Sequence, residues 1–148
     1  RVFLRTIHEH CVGRPHSGLL IGVDTRKSKA RLEAAYDDAT GVTAAFNRNV
    51  LNHVNRVPGA DIRPREYAHR AFYDEAAGRV EMHLVASSAQ AVHLGEATRV
   101  FAAGERIHTE SSWKYAPAEF AALLGAAGFS RIRDWQDPAG DFAVFYAA

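Results

Sequence analysis

Residues 18–24, GLLIGVD, constrain the fold more than any other stretch: a continuous apolar run closed by an aspartate and preceded by Gly13, Pro15 and Gly18 as breakers. So short a run, bounded by breakers, reads as a strand with both faces covered, the pattern of a parallel sheet. Residues 2–12 place Phe3, Leu4, Ile7 and Cys11 at helical spacing before those breakers. A helix followed by a buried strand is the second half of a βαβ unit.

From Ser28 the period changes. Leu32, Ala35, Tyr36 and Ala39, then Val42, Ala45, Phe46, Val50 and Val54, recur every three or four residues. This predicts two helices, at about 28–39 and 41–56, parted at Thr40-Gly41 and ended by Pro58-Gly59. AFYDE, RVEMHLVAS, QAVHLGE and TRVFAAGERIHTE then alternate apolar and polar residues, which predicts antiparallel strands over 71–110. APAEFAALLGAAGF carries Pro117 near a first helical position, Phe120, Leu123 and Leu124 on one face, and Gly128 as a stop. RIRDWQ and FAVFYAA, joined by DPAGD, predict a closing hairpin, whose last strand is expected to pair with residues 18–24.

Composition excludes several roles. Eighteen basic and seventeen acidic residues, with no block of either, lack the footprint of a nucleic-acid binder. The lone Cys11 cannot form an internal disulfide, no signal peptide is evident, and no apolar run is long enough to span a bilayer. The expectation is a cytoplasmic protein without a membrane partner. Helical text begins at once from Arg1, so the chain reads as the back part of a longer protein.

Two clusters suggest chemistry only superficially. His8, His10, Cys11 and His16 offer one thiol, and His8 and His10 do not share a helix face, so zinc is not expected. Asp37 and Asp38 point about 100° apart on a helix and read as helix-end or solvated residues rather than paired acids.

AAYDDATGVTAAFNRNVLNHVNR, RVEMHLV, FAAGERIHTESSWKY and DPAGDFAV together resemble the C-terminal half of the bacterial L-histidine Nα-methyltransferases, the SAM-dependent enzymes of ergothioneine biosynthesis. The likeness covers nearly the whole chain from Gly18. It implies an α/β fold class: the C-terminal part of a Rossmann-like class I methyltransferase sheet, with an inserted α+β substrate domain. Residues 1–27 and 113–148 would belong to the methyltransferase domain, and 28–112 to the substrate-binding insert. The resemblance assigns Glu110 and Ser112 to the histidine imidazole, Tyr36 to its carboxylate and Met82 to the ring pocket. Thr43, Phe46 and Asn47 follow as second-rank pocket residues, and no residue is implied as a catalytic nucleophile.

The chemistry agrees with this carry-over, and plainer readings stand beside it. A neutral imidazole has one donor and one acceptor nitrogen, which a carboxylate and a hydroxyl can satisfy together. A spacing of two aims Glu110 and Ser112 to one side only if the segment stays extended; otherwise they are a solvated strand end with a serine before the next helix. Tyr36 shares an apolar stripe with Leu32 and Ala39, and Met82 alternates with Val80 and Leu84, so both also suit a core.

No glycine-rich strand-to-helix turn of the kind that cradles a cofactor occurs in the chain. SAM is therefore expected to bind mainly through upstream residues of a monomeric parent that converts L-histidine to its trimethyl betaine, and the chain alone is expected to be inactive. Isolated, the strand at 18–24 should have an unpaired edge and a bare face of Leu19, Ile21 and Val23. The alternatives are a non-catalytic ligand-binding remnant, or a related amino-acid N-methyltransferase of different specificity. An indole substrate, lacking a ring acceptor, would not use the acid–hydroxyl pair in the same way.

Overall fold

Alternation, capping and breakers place thirteen short elements along the described residues. The computed structural model describes residues 2–148, which form a mixed α/β protein with small antiparallel sheets. They divide into two compact units: Arg1–Lys27 with Trp113–Ala148, and Ser28–Ser112. Among the described residues no helix is long and apolar enough to cross a membrane.

The first unit holds α1 (Val2–Cys11), β1 (Leu19–Asp24), α4 (Pro117–Ala127), β7 (Ile132–Gln136) and β8 (Phe142–Ala147). The sheet order is β1-β8-β7, and β1 pairs with β8 from Leu19↔Ala147 to Asp24↔Phe142. The expected partner is therefore found, but the pairing is antiparallel, because β8 returns from β7 through a hairpin. Nor is β1 covered on both faces. Leu19, Ile21 and Val23 pack in one cluster with Leu4 of α1, Phe120 and Leu124 of α4, and Phe145. The face expected to be bare is thus the covered one. Leu20 is 69% exposed, and Phe142, Tyr146 and Trp135, on the same face by register, are exposed as well. The Phe142 ring lies over Gly22, where a Cβ would come within 2.6 Å of it.

Pro117 opens α4 and Gly128 closes it at φ +115°. A Cβ on Gly128 would lie 2.5 Å from the His8 ring, which itself meets Phe129 edge-on at 5.0 Å. The close approach of α1 thus reinforces the backbone's need for glycine.

Beyond β1, Thr25 forms an isolated parallel bridge with Tyr115. Tyr115 N donates to Asp24 O at 3.2 Å and Arg26 N to Tyr115 O at 3.3 Å. Lys114, only 1% exposed, places Nζ 2.7 Å from Asp24 Oδ2, while Lys27 Nζ lies 2.5 Å from Oδ1. Burial pushes the Asp24 carboxyl up, but the bonds from Lys114 and then Lys27 outweigh it and hold the group below its ordinary value.

The second unit comprises α2 (Lys29–Tyr36), α3 (Val42–Val54), a single 3₁₀ turn at Pro64–Glu66, β2 (Tyr67–Asp74), β3 (Arg79–Ala86), β4 (Gln90–Leu94), β5 (Ala97–Phe101) and β6, whose full span is Arg106–Trp113. β2 and β3 pair antiparallel from Tyr67↔Ala86 to Asp74↔Arg79, β6 lies on the other side of β3, and β4 and β5 form a separate hairpin. Both helices are shorter than their periodicity predicts, and β2 starts four residues before the expected Ala71. The Asp38 carboxylate accepts from the Thr40 hydroxyl, from Val42 N at 3.0 Å and from Thr43 N at 2.8 Å. It thereby serves the start of α3, as a helix-end residue should. The Thr40 hydroxyl above all, with these backbone donors, holds its carboxyl far below the usual range. Glu33 of α2 accepts from Tyr73 N at 3.0 Å, satisfying a donor on the edge strand β2. Leu51, Tyr67, Leu84 and Phe101 centre one core, and Leu32, Tyr73 and Val80, with Tyr36 against them, form a second.

Two sets of variants test this unit-by-unit packing in the full-length protein. Gly125 lies inside α4 with nothing within 4 Å of a built Cβ, so Gly125→Ala should stabilise by about 0.5–1 kcal/mol, whereas Gly128→Ala should destabilise by at least about 1 kcal/mol. Urea denaturation checks the opposite signs. Asp24→Asn should cost about 3 kcal/mol at neutral pH by replacing with a neutral amide the carboxylate that Lys114 and Lys27 both contact. Because the folded-state value of Asp24 is depressed, its contribution is complete above about pH 4 and is lost as pH falls through the depressed value. The variant and the parent should therefore converge in stability as acid is added, which denaturation at stepped pH would show.

Candidate functional site

The residues with chemistry in the second unit gather where α2 ends, α3 runs and β6 passes. Tyr36 is the last residue of α2, and its hydroxyl donates to Ser112 Oγ at 2.7 Å, 76 residues away in the chain. Its carbonyl is an orphan acceptor of the helix terminus, and His69 Nε2 supplies a donor at 2.9 Å. His69 Nδ1 lies 2.9 Å from Asn47 Nδ2, which also donates to His83 O at 3.1 Å. These contacts choose a tautomer. An amide nitrogen can only donate, so Nδ1 accepts and the ring hydrogen sits on Nε2, facing Tyr36. Asn47 is 3% exposed, and this pairing is what satisfies it in the interior.

Beside this relay is a cavity of about 320 Å³. Met82, Glu110, Phe46 and Asn47 line it, joined by Asn49, Val50, His53 and Thr109. Met82 is 3% exposed and so both packs and lines. Phe46 is 67% exposed. Thr109 Oγ1 donates to Met82 O at 2.9 Å, tying β6 to β3 at the cavity wall.

Plain alternation does not hold along β6. Ile107 and Thr109 are partly buried, Glu110 and Ser111 are both exposed, and Ser112 is partly buried again. Thr109 and Glu110 are consecutive yet line the same cavity, while the Ser111 hydroxyl meets His108 Nε2 at 3.0 Å. The structure thus brings Tyr36 to Ser112, and Met82, Glu110, Phe46 and Asn47 to one cavity. Thr43 is not among the lining residues; its backbone N–H is taken by Asp38 at the start of α3. His53, Thr109 and His69 were not singled out from sequence. His69 shares β2 alternation with Tyr67 and Tyr73, and that pattern was its only signal.

A second polar group occupies the sheet. Arg79 donates from Nε and Nη2 to Glu81 Oε1, at 2.8 and 2.5 Å, and His83 Nε2 donates to Oε2 at 2.9 Å. The bond from His83, then that from Arg79, hold the Glu81 carboxyl below its ordinary range against the effect of burial. Phe72, His83 and His108 stack across β2, β3 and β6 with centroid spacings of 5.3 and 4.7 Å. Ligand atoms of Glu81, His83 and His108 fall within 4.8 Å of one another. The two imidazoles, however, are within 13° of parallel. Ring lone pairs lie in the ring planes, so stacked rings do not converge on one ion, and Glu81 is already engaged by Arg79 and His83. This is an aromatic and ionic ladder rather than a metal centre.

Comparison with known proteins gives the chain a lineage. The chain is 48% identical over 139 residues to the histidine N-alpha-methyltransferase of Mycobacterium tuberculosis, covering 93% of this chain and 43% of that protein. It is 45% identical over 136 residues to the histidine N-alpha-methyltransferase of Mycolicibacterium smegmatis, covering 90% and 42%. To the ergothioneine biosynthesis protein 1 of Schizosaccharomyces pombe it is 27% identical over 131 residues, or 88% of this chain and 17% of that one. The chain therefore spans about two fifths of the length of the two bacterial relatives. A sequence model described as histidine-specific methyltransferase, SAM-dependent, matches residues 1–148, and on that full-length match the chain belongs to the histidine-specific, SAM-dependent methyltransferase family.

Proposed function

We propose that the full-length protein transfers methyl groups from SAM to the α-nitrogen of L-histidine, ending at the trimethyl betaine used for ergothioneine. In this reading Ser28–Ser112 is the inserted substrate-binding unit, and the first unit is the end of a Rossmann-like methyltransferase domain. The observation that carries the proposal is the meeting of Tyr36 with Ser112 alongside a cavity lined by Met82 and Glu110. The two close bacterial relatives carry the name of this activity.

The described residues suit the amino acid rather than the donor. β1 passes to α2 through Thr25–Ser28 without a glycine, so no cradle of the dinucleotide-binding type is formed there. SAM, held mainly by residues outside this chain, supplies an electrophilic methyl group. The task left to Tyr36, Met82, Glu110 and Ser112 is to hold histidine with its amine oriented, so that positioning carries the catalysis. Glu110 accepts from one imidazole N–H, Ser112 donates to the other nitrogen, and Met82 packs on the ring. Phe46 and Asn47 complete the wall, and Thr43 supports it through the start of α3.

Counting hydrogens adds a constraint. Tyr36 and Ser112 carry one hydroxyl proton each, and one of the two lies in their mutual bond. The pair cannot donate to both a ring nitrogen and a carboxylate while keeping that bond. Loading of histidine by both residues therefore parts them, and binding is weaker by the bond surrendered.

In the full-length enzyme Glu110→Ala should weaken histidine binding about thirtyfold, the worth of one charge-assisted hydrogen bond of about 2 kcal/mol, and leave SAM binding unchanged. Calorimetric titration of each ligand into parent and variant separates the two. An equal loss for both would indicate unfolding rather than a removed substrate contact.

A further inference from the structure

We propose that His69 is a positioning residue for substrate binding, acting through the backbone of Tyr36. The inference rests on the reading that Tyr36 and Ser112 hold the substrate, and it assigns a role to a residue outside that pair.

α2 is only eight residues long and Tyr36 is its last, so the tyrosine sits where a helix frays most readily. Several contacts hold it. Its side chain packs against the Leu32, Tyr73 and Val80 cluster, its hydroxyl reaches Ser112, and its carbonyl receives His69 Nε2. The last is independent of the hydroxyl, and it survives when the Tyr36–Ser112 bond is given up to a ligand. At that moment the carbonyl contact and the side-chain packing still keep the tyrosine in place.

His69 can do this because its own ring is fixed. Asn47 Nδ2 is committed to two acceptors, His69 Nδ1 and His83 O. Turning the Asn47 amide over would set its oxygen against the His83 carbonyl, so the donor side stays toward His69. The imidazole then presents Nε2–H to Tyr36 and nothing else. The relay runs from β3 through α3 and β2 to the end of α2, so the tyrosine is indexed to the sheet rather than to the short helix alone.

The test compares His69→Asn with His69→Gln in the full-length enzyme. Both keep a polar amide, but asparagine places it near the Nδ1 position and leaves the Tyr36 carbonyl unserved, whereas glutamine reaches the Nε2 position. Histidine affinity by calorimetry should fall about tenfold in His69→Asn and stay within about threefold of the parent in His69→Gln, with SAM affinity unchanged in both. A cycle with Tyr36→Phe supplies the decisive reading. If His69 works through the tyrosine, His69→Asn should cost nothing further for histidine once the tyrosine hydroxyl is gone. Additive losses, or a His69→Asn variant that binds histidine like the parent, would overturn the proposal. Should Tyr36→Phe alone leave histidine binding unchanged, the assignment of Tyr36 to the substrate fails, and the role of His69 fails with it.

Discussion

A lysine ammonium withdrawn from water sets the geometry on which the first unit depends. Lys114 is almost wholly enclosed, and Asp24 at the end of β1 is its carboxylate. A charge so placed is tolerable only with a partner at short range, so the end of β1 and the residue that follows β6 are fixed to one another. The Thr25–Tyr115 bridge and the backbone bonds around it complete the clamp. The chain leaves this clamp just before Ser28 and returns to it two residues after Ser112, so both ends of the intervening 85-residue excursion arise from one fixed place. A long loop closed at its base loses far less entropy on ordering than one with free ends.

Inside the second unit the same economy appears with neutral groups. The Tyr36 end of the Tyr36–Ser112 contact is held by a buried amide and an imidazole of defined tautomer. Neutral donors and acceptors in fixed orientation carry no large desolvation penalty when paired. They also leave the charge in the cavity wall to Glu110, which a cationic or N–H-bearing ligand can meet. On β3 the Glu81 carboxylate is shared between Arg79 and His83.

Local signals were legible in the sequence and long-range ones were not. Pro117 and Gly128 bound α4 because a ring-locked φ and a positive φ are local demands. The β1–β8 pairing followed from two apolar runs, but its direction depends on the hairpin geometry, and the run itself does not encode which face α1 and α4 cover. Leu19, Ile21 and Val23 were expected bare and are covered; Leu20 lies on the open side. Within the site, a family resemblance pointed to Tyr36, Met82, Glu110 and Ser112, while Thr43, named with Phe46 and Asn47, lies at the start of α3 with its N–H taken by Asp38 and does not line the cavity. The slip of alternation between Thr109 and Ser112 has no marker in IHTESSWKY. His69 looked like an ordinary polar residue, and Asn47, named only as a second-rank pocket residue, gave no sign of its bond to His69, since that pairing joins positions more than twenty residues apart.

The close approach of the Phe142 ring to Gly22 reaches beyond stability. A Cβ at 22 and an aromatic ring at 142 exclude each other in space, although the two positions lie at opposite ends of the chain and are diagonal, not paired, in the ladder. The glycine cannot gain a side chain while the ring keeps this place, whereas the ring can be lost with the glycine kept. Across a lineage the order of change should therefore be fixed, with substitution of the glycine following displacement or loss of the ring.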